Sequence, residues 1–139
     1  MAPEDEKTKV RHAIDEVFNK GNMNALDEIA APGIVYHQPP RPDLKGLDAY
    51  KQFFTDLRKA FPDMQYTIEE LIIEGDTSAA RYTVRGTHTG QWMSIPPTGK
   101  RVAWTGLWMT RTVNGMGVEQ WVYSDVVGLM QQLGVAQPK

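Results

Sequence analysis

The chain has 139 residues, which is enough for one domain with a buried core and too few to require a second domain. Its 15 lysines and arginines against 17 aspartates and glutamates give a net charge of -2, and no basic tract of the kind that binds nucleic acid occurs. The absence of cysteine excludes disulfide frameworks, thiolate zinc sites and cysteine nucleophiles.

The amino terminus is charged and lacks the apolar stretch of a signal peptide. No apolar run approaches membrane-spanning length. We therefore expect a cytoplasmic protein whose partners include neither a membrane nor nucleic acid.

Helices dominate the first half of the chain. Residues 9–19 carry apolar side chains at helical spacing, and a short second helix follows Asn24 and stops at Pro32-Gly33. Residues 34–37 predict a short strand that ends in a proline-rich stretch, because proline lacks the N–H that a strand ladder needs. The longest helix is predicted for residues 46–61, with an apolar stripe of Leu47, Tyr50, Phe53, Phe54, Leu57 and Phe61.

Strands dominate the second half. Residues 66–74 and 77–89 flank Gly75-Asp76, a hairpin signal, and a loop at 91–100 leads into a second hairpin and a short amphipathic tail. Helices followed by strands predict an α+β fold. We expect residues 1–139 to form a single domain in which a curved antiparallel sheet wraps around the N-terminal helices and leaves a cone with an internal pocket.

The second hairpin turns at Asn114-Gly115, because a type I′ turn needs positive φ at both central positions. Counting outward from this turn places Trp108 opposite Trp121 and Trp104 opposite Asp125. One face would therefore carry Trp104, Trp108, Glu119, Trp121, Tyr123 and Asp125, and the other Leu107, Met109, Val118, Val122 and Val126. We expect the first face to line the pocket, and the apolar second face to meet a second subunit in a homodimer.

Asp125 is the first candidate for chemistry. Among aromatic rings, loss of hydration disfavours the charged carboxylate and makes it a stronger base, as in enzymes that remove a proton next to a carbonyl. The alternative is that Asp125 only caps the short C-terminal helix, and the spacing does not decide between the two. The expected pocket walls are Trp104, Trp108, Trp121, Tyr123, Tyr50, Phe53 and Phe54.

Two of the three histidines lie near strand ends. His37 and His88 could each donate to a developing oxyanion, although an isolated histidine is more often structural. No third ligand lies at a recognisable spacing from them, so we predict no metal site. Glu119 is expected to be solvated or paired with an arginine.

Arg81 and Arg85 alternate with Tyr82 and Val84 on one strand. An arginine between two carboxylates could activate water for epoxide opening, whereas pairing of the arginines with Glu69 or Glu70 is the simpler account. No nucleophile elbow or phosphate-cradling glycine loop occurs in the chain.

Several local patterns coincide in a way that resembles one family, the SnoaL-like polyketide cyclases of the nuclear-transport-factor-like superfamily of α+β cones. The motifs are Ala60-Phe61-Pro62-Asp63, Glu74-Gly75-Asp76, Gly86-Thr87-His88-Thr89-Gly90, Ile95-Pro96-Pro97-Thr98-Gly99-Lys100 and the spaced Glu119, Trp121 and Asp125.

The resemblance implies a cofactor-free and metal-free intramolecular aldol closure of a hydrophobic carbonyl compound. Asp125 would be the general base, and His37 and His88 would donate to the enolate oxygen. Orientation of a flexible substrate within one pocket would supply much of the rate. The family's cyclases are expected to carry a histidine beside the base, whereas residues 104–125 contain none. The tryptophans would narrow the pocket, which favours a smaller ligand.

Three functions are therefore open. The first is a cyclase-type enzyme with Asp125 as base. The second is a module that binds an apolar small molecule without changing it. The third is an epoxide hydrolase on the same fold, which requires Arg81 or Arg85 to bridge two carboxylates inside the cone.

Overall fold

The computed structural model describes residues 3–135, and they form the predicted α+β fold with helices against one face of a curved, open sheet. No helix in this part of the chain is long and apolar enough to cross a membrane. The helices are α1 (Pro3–Ile14), continued by a π-helix (Asp15–Asn19), a 3-10 helix (Met23–Glu28), α2 (Leu47–Ala60) and α3 (Val126–Leu133). The strands are β1 (Ala30–His37), β2 (Leu44–Lys45), β3 (Gln65–Glu74), β4 (Thr77–Thr87), β5 (Arg101–Val113) and β6 (Met116–Ser124).

The six strands lie in the order β2-β1-β6-β5-β4-β3. All neighbours are antiparallel except β1 and β6, which run parallel, so the sheet is mixed rather than purely antiparallel. The long strands β3 to β6 form the curved wall, and β1 adds to the edge of β6.

The core lies between this wall and the helices. Helix α2 buries Tyr50, Phe54 and Leu57, which recur at three- and four-residue spacing on one face. Phe18 of the π-helix joins them, because its ring packs edge-on against Phe54 at 4.7 Å and stacks on Tyr66 of β3 at 4.4 Å. Aromatic rings therefore hold the helices to the concave face of the sheet.

Two element boundaries differ from the prediction by four residues or more. Helix α1 begins at Pro3 rather than at residue 9, because Glu4, Asp5 and Glu6 place negative charge at the positive end of the helix dipole. Strand β1 begins at Ala30 and includes Pro32, in a stretch where the register against β6 is irregular and a missing N–H is tolerated.

A β-bulge in β6 overturns the predicted faces of the last hairpin. The turn is where the sequence predicts it, with φ of 52° at Asn114 and 78° at Gly115. Thr112 pairs with Gly117 but Arg111 pairs with Glu119, so Val118 is an extra residue in β6. Every later pairing is shifted by one, and a one-residue shift moves each side chain to the opposite face of the sheet.

Candidate active site in the cone

The interior of the cone holds a cavity of about 70 Å³ between α2, the concave face of the sheet, α3 and the loop that follows β4. Five of the seven predicted wall residues line it. They are Tyr50, Phe53, Phe54, Trp104 and Trp108.

The prediction was wrong for the other two rings. Trp121 and Tyr123 lie on the convex face of the sheet beside Leu107 and Met109, because the bulge at Val118 exchanges them with Gln120 and Val122. Trp108 pairs with Val122, and Trp121 pairs with Met109. Strand β6 therefore contributes Gln120 and Val122 to the cavity wall instead of Trp121 and Tyr123.

Neutral hydrogen-bonding groups form two chains across the cavity wall. In the first, the Tyr36 hydroxyl donates to Gln38 Oε1 at 2.7 Å and Gln38 Nε2 donates to Ser124 Oγ at 3.2 Å. Ser124 Oγ also lies 2.6 Å from the Tyr82 hydroxyl. In the second, the Tyr50 hydroxyl donates to Gln120, and Gln120 Nε2 donates to Thr110 Oγ1 at 2.8 Å.

Burial keeps the cavity's phenols protonated. It raises the pKa of Tyr36, Tyr50, Tyr66 and Tyr82 above the ordinary value of 10.0, and neighbouring tyrosines raise the pKa of the first three further. These four side chains are therefore hydroxyl donors at neutral pH and cannot act as bases.

Asp125 lines the cavity, but not in the environment that the sequence predicts. Its carboxylate is exposed and caps α3, with Oδ1 accepting from the Gly128 N–H at 2.9 Å. Its own N–H donates to the Thr105 carbonyl at 2.9 Å. Because Gly106 of β5 pairs with Ser124 of β6, Asp125 lies level with Thr105 and not opposite Trp104 as predicted. The dry setting that the sequence predicts for Asp125 is therefore absent.

His37 is on the wrong face of the sheet for the predicted donor role. Its ring stacks on Trp121 of the convex face at 5.5 Å, and its two nitrogens lie 2.8 Å from Asp43 Oδ1 and 2.7 Å from Glu119 Oε2. Hydrogen bonds to Glu119 and Asp43 raise the pKa of His37 above 6.5. Glu119 also binds Arg111 at 2.6 Å, as the predicted pairing with an arginine requires.

His88 lies behind the cavity wall. Its ring is fully buried against Phe61 at 5.3 Å, and Phe61 in turn packs on Trp104 at 5.1 Å. Its Nδ1 accepts from the Thr98 N–H at 3.2 Å, and burial lowers its pKa below 6.5, so the imidazole is neutral. His88 thus fastens the loop between β4 and β5 and does not reach the cavity as the prediction requires.

The arginines of the epoxide-hydrolase hypothesis lie outside the cone. Arg81 and Arg85 are both exposed, and Arg81 binds Glu70 across the strand pair at 3.1 Å. That hypothesis is wrong for these residues, and the simpler account of Arg81 is confirmed.

Arg41 is a cavity residue that the sequence analysis missed. It follows the two prolines that end β1, and its N–H donates to the Gln38 carbonyl at 3.0 Å, which closes a turn. Its guanidinium carbon lies 4.8 Å from the centre of the Phe53 ring and 5.0 Å from the centre of the Trp92 ring. Arg41 and Asp125 are the only charged residues of the described chain that line this cavity.

A second cavity, of about 440 Å³, opens between α1, the start of β1 and the two hairpin turns. It shares Ile14, Tyr50, Trp108 and Gln120 with the first cavity. The Tyr50–Gln120 hydrogen bond therefore lies in the partition between the two spaces.

Comparisons with known proteins agree with this architecture. The SnoaL-like polyketide cyclase family matches residues 8–133. The aklanonic acid methyl ester cyclase DauD of Streptomyces sp. (strain C5) is 28% identical over 130 residues, which cover 88% of this chain and 78% of DauD.

Two solved structures extend the comparison. IdmH of Streptomyces antibioticus superposes with a TM-score of 0.77 at 32% identity, over 94% of this chain and 99% of IdmH. TsrD of Streptomyces laurentii superposes with a TM-score of 0.87 over 98% of this chain and all of TsrD, but at 23% identity it supports the fold alone. Because the family matches residues 8–133 and the fold is the expected cone, the chain belongs to the SnoaL-like polyketide cyclase family.

Proposed function

We propose that this chain is a cofactor-free cyclase that closes a ring in a hydrophobic carbonyl compound, with Asp125 as the general base. The observation that carries the proposal is that Asp125 is the only carboxylate in the described part of the chain to line the cavity. The family supports ring closure as the type of reaction, and two relatives are named as aklanonic acid methyl ester cyclases.

The proposed step is an intramolecular aldol addition. The Asp125 carboxylate takes a proton from the carbon next to a carbonyl, and the C–H electron pair moves toward the carbonyl oxygen to form an enolate. The enolate carbon then bonds to a second carbonyl carbon of the same molecule, and the resulting alkoxide recovers the proton from Asp125. Ser124, which precedes the base in the chain, and its partner Tyr82 are the proposed donors to the enolate oxygen.

Cavity size limits the substrate. Ligand pockets for molecules of drug size measure about 300–1,000 Å³, and the inner cavity is well below this range at about 70 Å³. We infer that a substrate with several rings places only its reacting end there and extends through the mouth or across the Tyr50–Gln120 partition. A smaller carbonyl compound would fit with less movement.

The test uses three substitutions at Asp125, with aklanonic acid methyl ester and aklanonic acid, its free carboxylic acid, as the first two substrates. Asparagine and serine are good N-cap residues, so Asp125→Asn and Asp125→Ser keep α3 capped and remove only the base. Turnover should fall by about 10²–10⁴-fold in both. Asp125→Ala also loses the cap, at about 1 kcal/mol of stability. Full activity in Asp125→Asn and Asp125→Ser would overturn the assignment.

A second candidate is a module that binds an apolar small molecule without transforming it. It is favoured by the exposure of Asp125 and by its hydrogen bond to Gly128, since both are what a purely structural cap would have. This candidate predicts that a bound ligand is recovered unchanged and that Asp125→Asn binds it as tightly as the original chain does.

We also propose that the chain forms a homodimer through the convex face of the sheet. Ile72, Leu107 and Tyr123 are 60%, 56% and 61% exposed there, which is unusual for neighbouring apolar side chains in a monomer. Arg111 and Glu119 lie beside the patch and pair with each other, so they leave no unbalanced charge there, and an apolar patch can meet an identical patch across a two-fold axis. The partner is therefore a second copy of this chain.

A further inference from the structure

Arg41 occupies the passage between the inner cavity and an outer groove. Three residues line both spaces, namely Arg41, Phe53 and Trp92. The Phe53 and Trp92 rings meet edge-on at 5.8 Å, and the guanidinium lies within 5.0 Å of both ring centres. A molecule that enters the inner cavity by this route passes the guanidinium.

The charge of Arg41 is not balanced by a carboxylate. No acidic side chain within residues 3–135 lies within salt-bridge distance of Arg41. Among the described side chains, the guanidinium donates a hydrogen bond only to the sulfur of Met93, at 3.3 Å. Asp56 also lines the outer groove, where its carboxylate accepts from the neutral Gln52 amide at 2.9 Å and forms no salt bridge with Arg41. The guanidinium is half-buried, and burial lowers the pKa of Arg41 below the usual arginine value.

A half-buried cation without a counter-ion is costly unless a ligand supplies the missing charge. The two rings hold the guanidinium in place, but they carry no net charge. The planar fork of an arginine matches a carboxylate with two parallel hydrogen bonds. The donors of Arg41 are almost unused within the described chain, so they are available for such a group.

We propose that Arg41 selects a ligand that carries a carboxylate beside its apolar part, and that it holds this carboxylate at the cavity mouth while the apolar part enters the cone. The proposal rests on the proposed function for the location of the ligand and names the class of ligand more closely. Under this proposal the chain binds a free carboxylate more tightly than the corresponding methyl ester, because the ester has no negative charge to pair with Arg41.

The experiment compares 2-naphthoate with methyl 2-naphthoate, two probes of similar shape that differ in charge. Binding is followed by tryptophan fluorescence and by calorimetry at neutral pH. The unaltered chain should bind the carboxylate at least about tenfold more tightly than the ester, as expected for a hydrogen-bonded charge pair. Arg41→Met and Arg41→Gln should each remove this preference, and Arg41→Lys should keep part of it.

Lys59→Met is the matched control, because it removes one positive charge from the same outer groove at an exposed site. It should retain the preference for the carboxylate. Equal affinities for the two probes in the unaltered chain, no measurable binding of 2-naphthoate, or a preference that survives in both Arg41→Met and Arg41→Gln would overturn the proposal. None of these readouts needs turnover, so failure here is distinct from failure of Asp125 as a base.

Discussion

Replacing Tyr50 by phenylalanine removes one hydroxyl from the partition between the two cavities. Tyr50, Gln120 and Thr110 are 6%, 8% and 9% exposed, so water does not readily replace a lost partner. The phenol donates to the Gln120 amide oxygen, and the Gln120 amide nitrogen donates to Thr110 Oγ1 at 2.8 Å. Tyr50→Phe leaves that amide oxygen buried without its donor.

An unsatisfied buried acceptor costs about 1–3 kcal/mol. With a urea dependence of about 2 kcal/mol per molar, this lowers the unfolding midpoint by about 0.5–1.5 M. Gln120→Met removes the amide at similar volume. The double variant Tyr50→Phe/Gln120→Met should lose at least about 1 kcal/mol less free energy of unfolding than the sum of the two single losses. Each single variant already breaks the same Tyr50–Gln120 hydrogen bond, so the double variant does not lose it twice.

Urea unfolding of the four proteins measures this coupling. Thr87→Val is the control, since Thr87 bonds to Asp63 and shares no partner with Tyr50. Its effect should add to that of Tyr50→Phe within about 0.5 kcal/mol. Additive losses for Tyr50→Phe and Gln120→Met would refute the reasoning, because the hydrogen bond across the partition would then contribute nothing to stability.

Three further predictions concern the sheet and its convex face. Gly106→Ala should lower the free energy of unfolding in urea by about 1–3 kcal/mol, because the added Cβ would lie 2.3 Å from the Tyr82 hydroxyl oxygen. The control Gly33→Ala should be nearly neutral, because its Cβ would meet no atom within 4 Å. If the proposed homodimer forms, Leu107→Lys should give a monomer in light scattering. Val127 is equally exposed but lies on α3, so Val127→Lys should leave the proposed dimer intact. Burial of a charged lysine opposes association. His37 has a raised pKa, so its ion pairs stabilise the fold fully below about pH 6.5 and this contribution is lost as the pH rises through the raised pKa. The cost of His37→Gln should therefore be larger at about pH 5.5 than at about pH 9, and an equal cost at both would contradict the assignment.

The sequence predicted the fold and the turn of the last hairpin, but not its register. Asn114-Gly115 is a strong local signal, because few residues tolerate positive φ. Val118 carries no comparable signal, since valine is equally common in a regular strand. Its extra position in β6 is fixed by pairing with two neighbouring strands, β1 and β5. That single residue decides whether Trp121 or Gln120 faces the cavity.

The sequence predicted the site residues that lie on long helices and strands. It missed a site residue whose position depends on contacts between distant parts of the chain. Tyr50 and Phe54 follow from the periodicity of α2. Arg41 lies in a stretch of prolines that reads only as the end of a strand, and its place depends on Phe53 and Trp92, which are distant in sequence. For Asp125 the sequence left a cap and a base as alternatives, and the cap is confirmed, while the base stays a prediction.

Exchange of substrate protons with solvent tests the central claim most directly. Aklanonic acid methyl ester and aklanonic acid are each incubated in heavy water with the unaltered chain, with Asp125→Asn and with no protein. Deuterium at the carbon next to the carbonyl is measured by mass spectrometry. If Asp125 removes that proton, the unaltered chain should accelerate deuterium incorporation or ring closure, and Asp125→Asn, still folded and capped, should do neither. Equal rates for the two proteins, both above the protein-free rate, would contradict a role for Asp125 as the base.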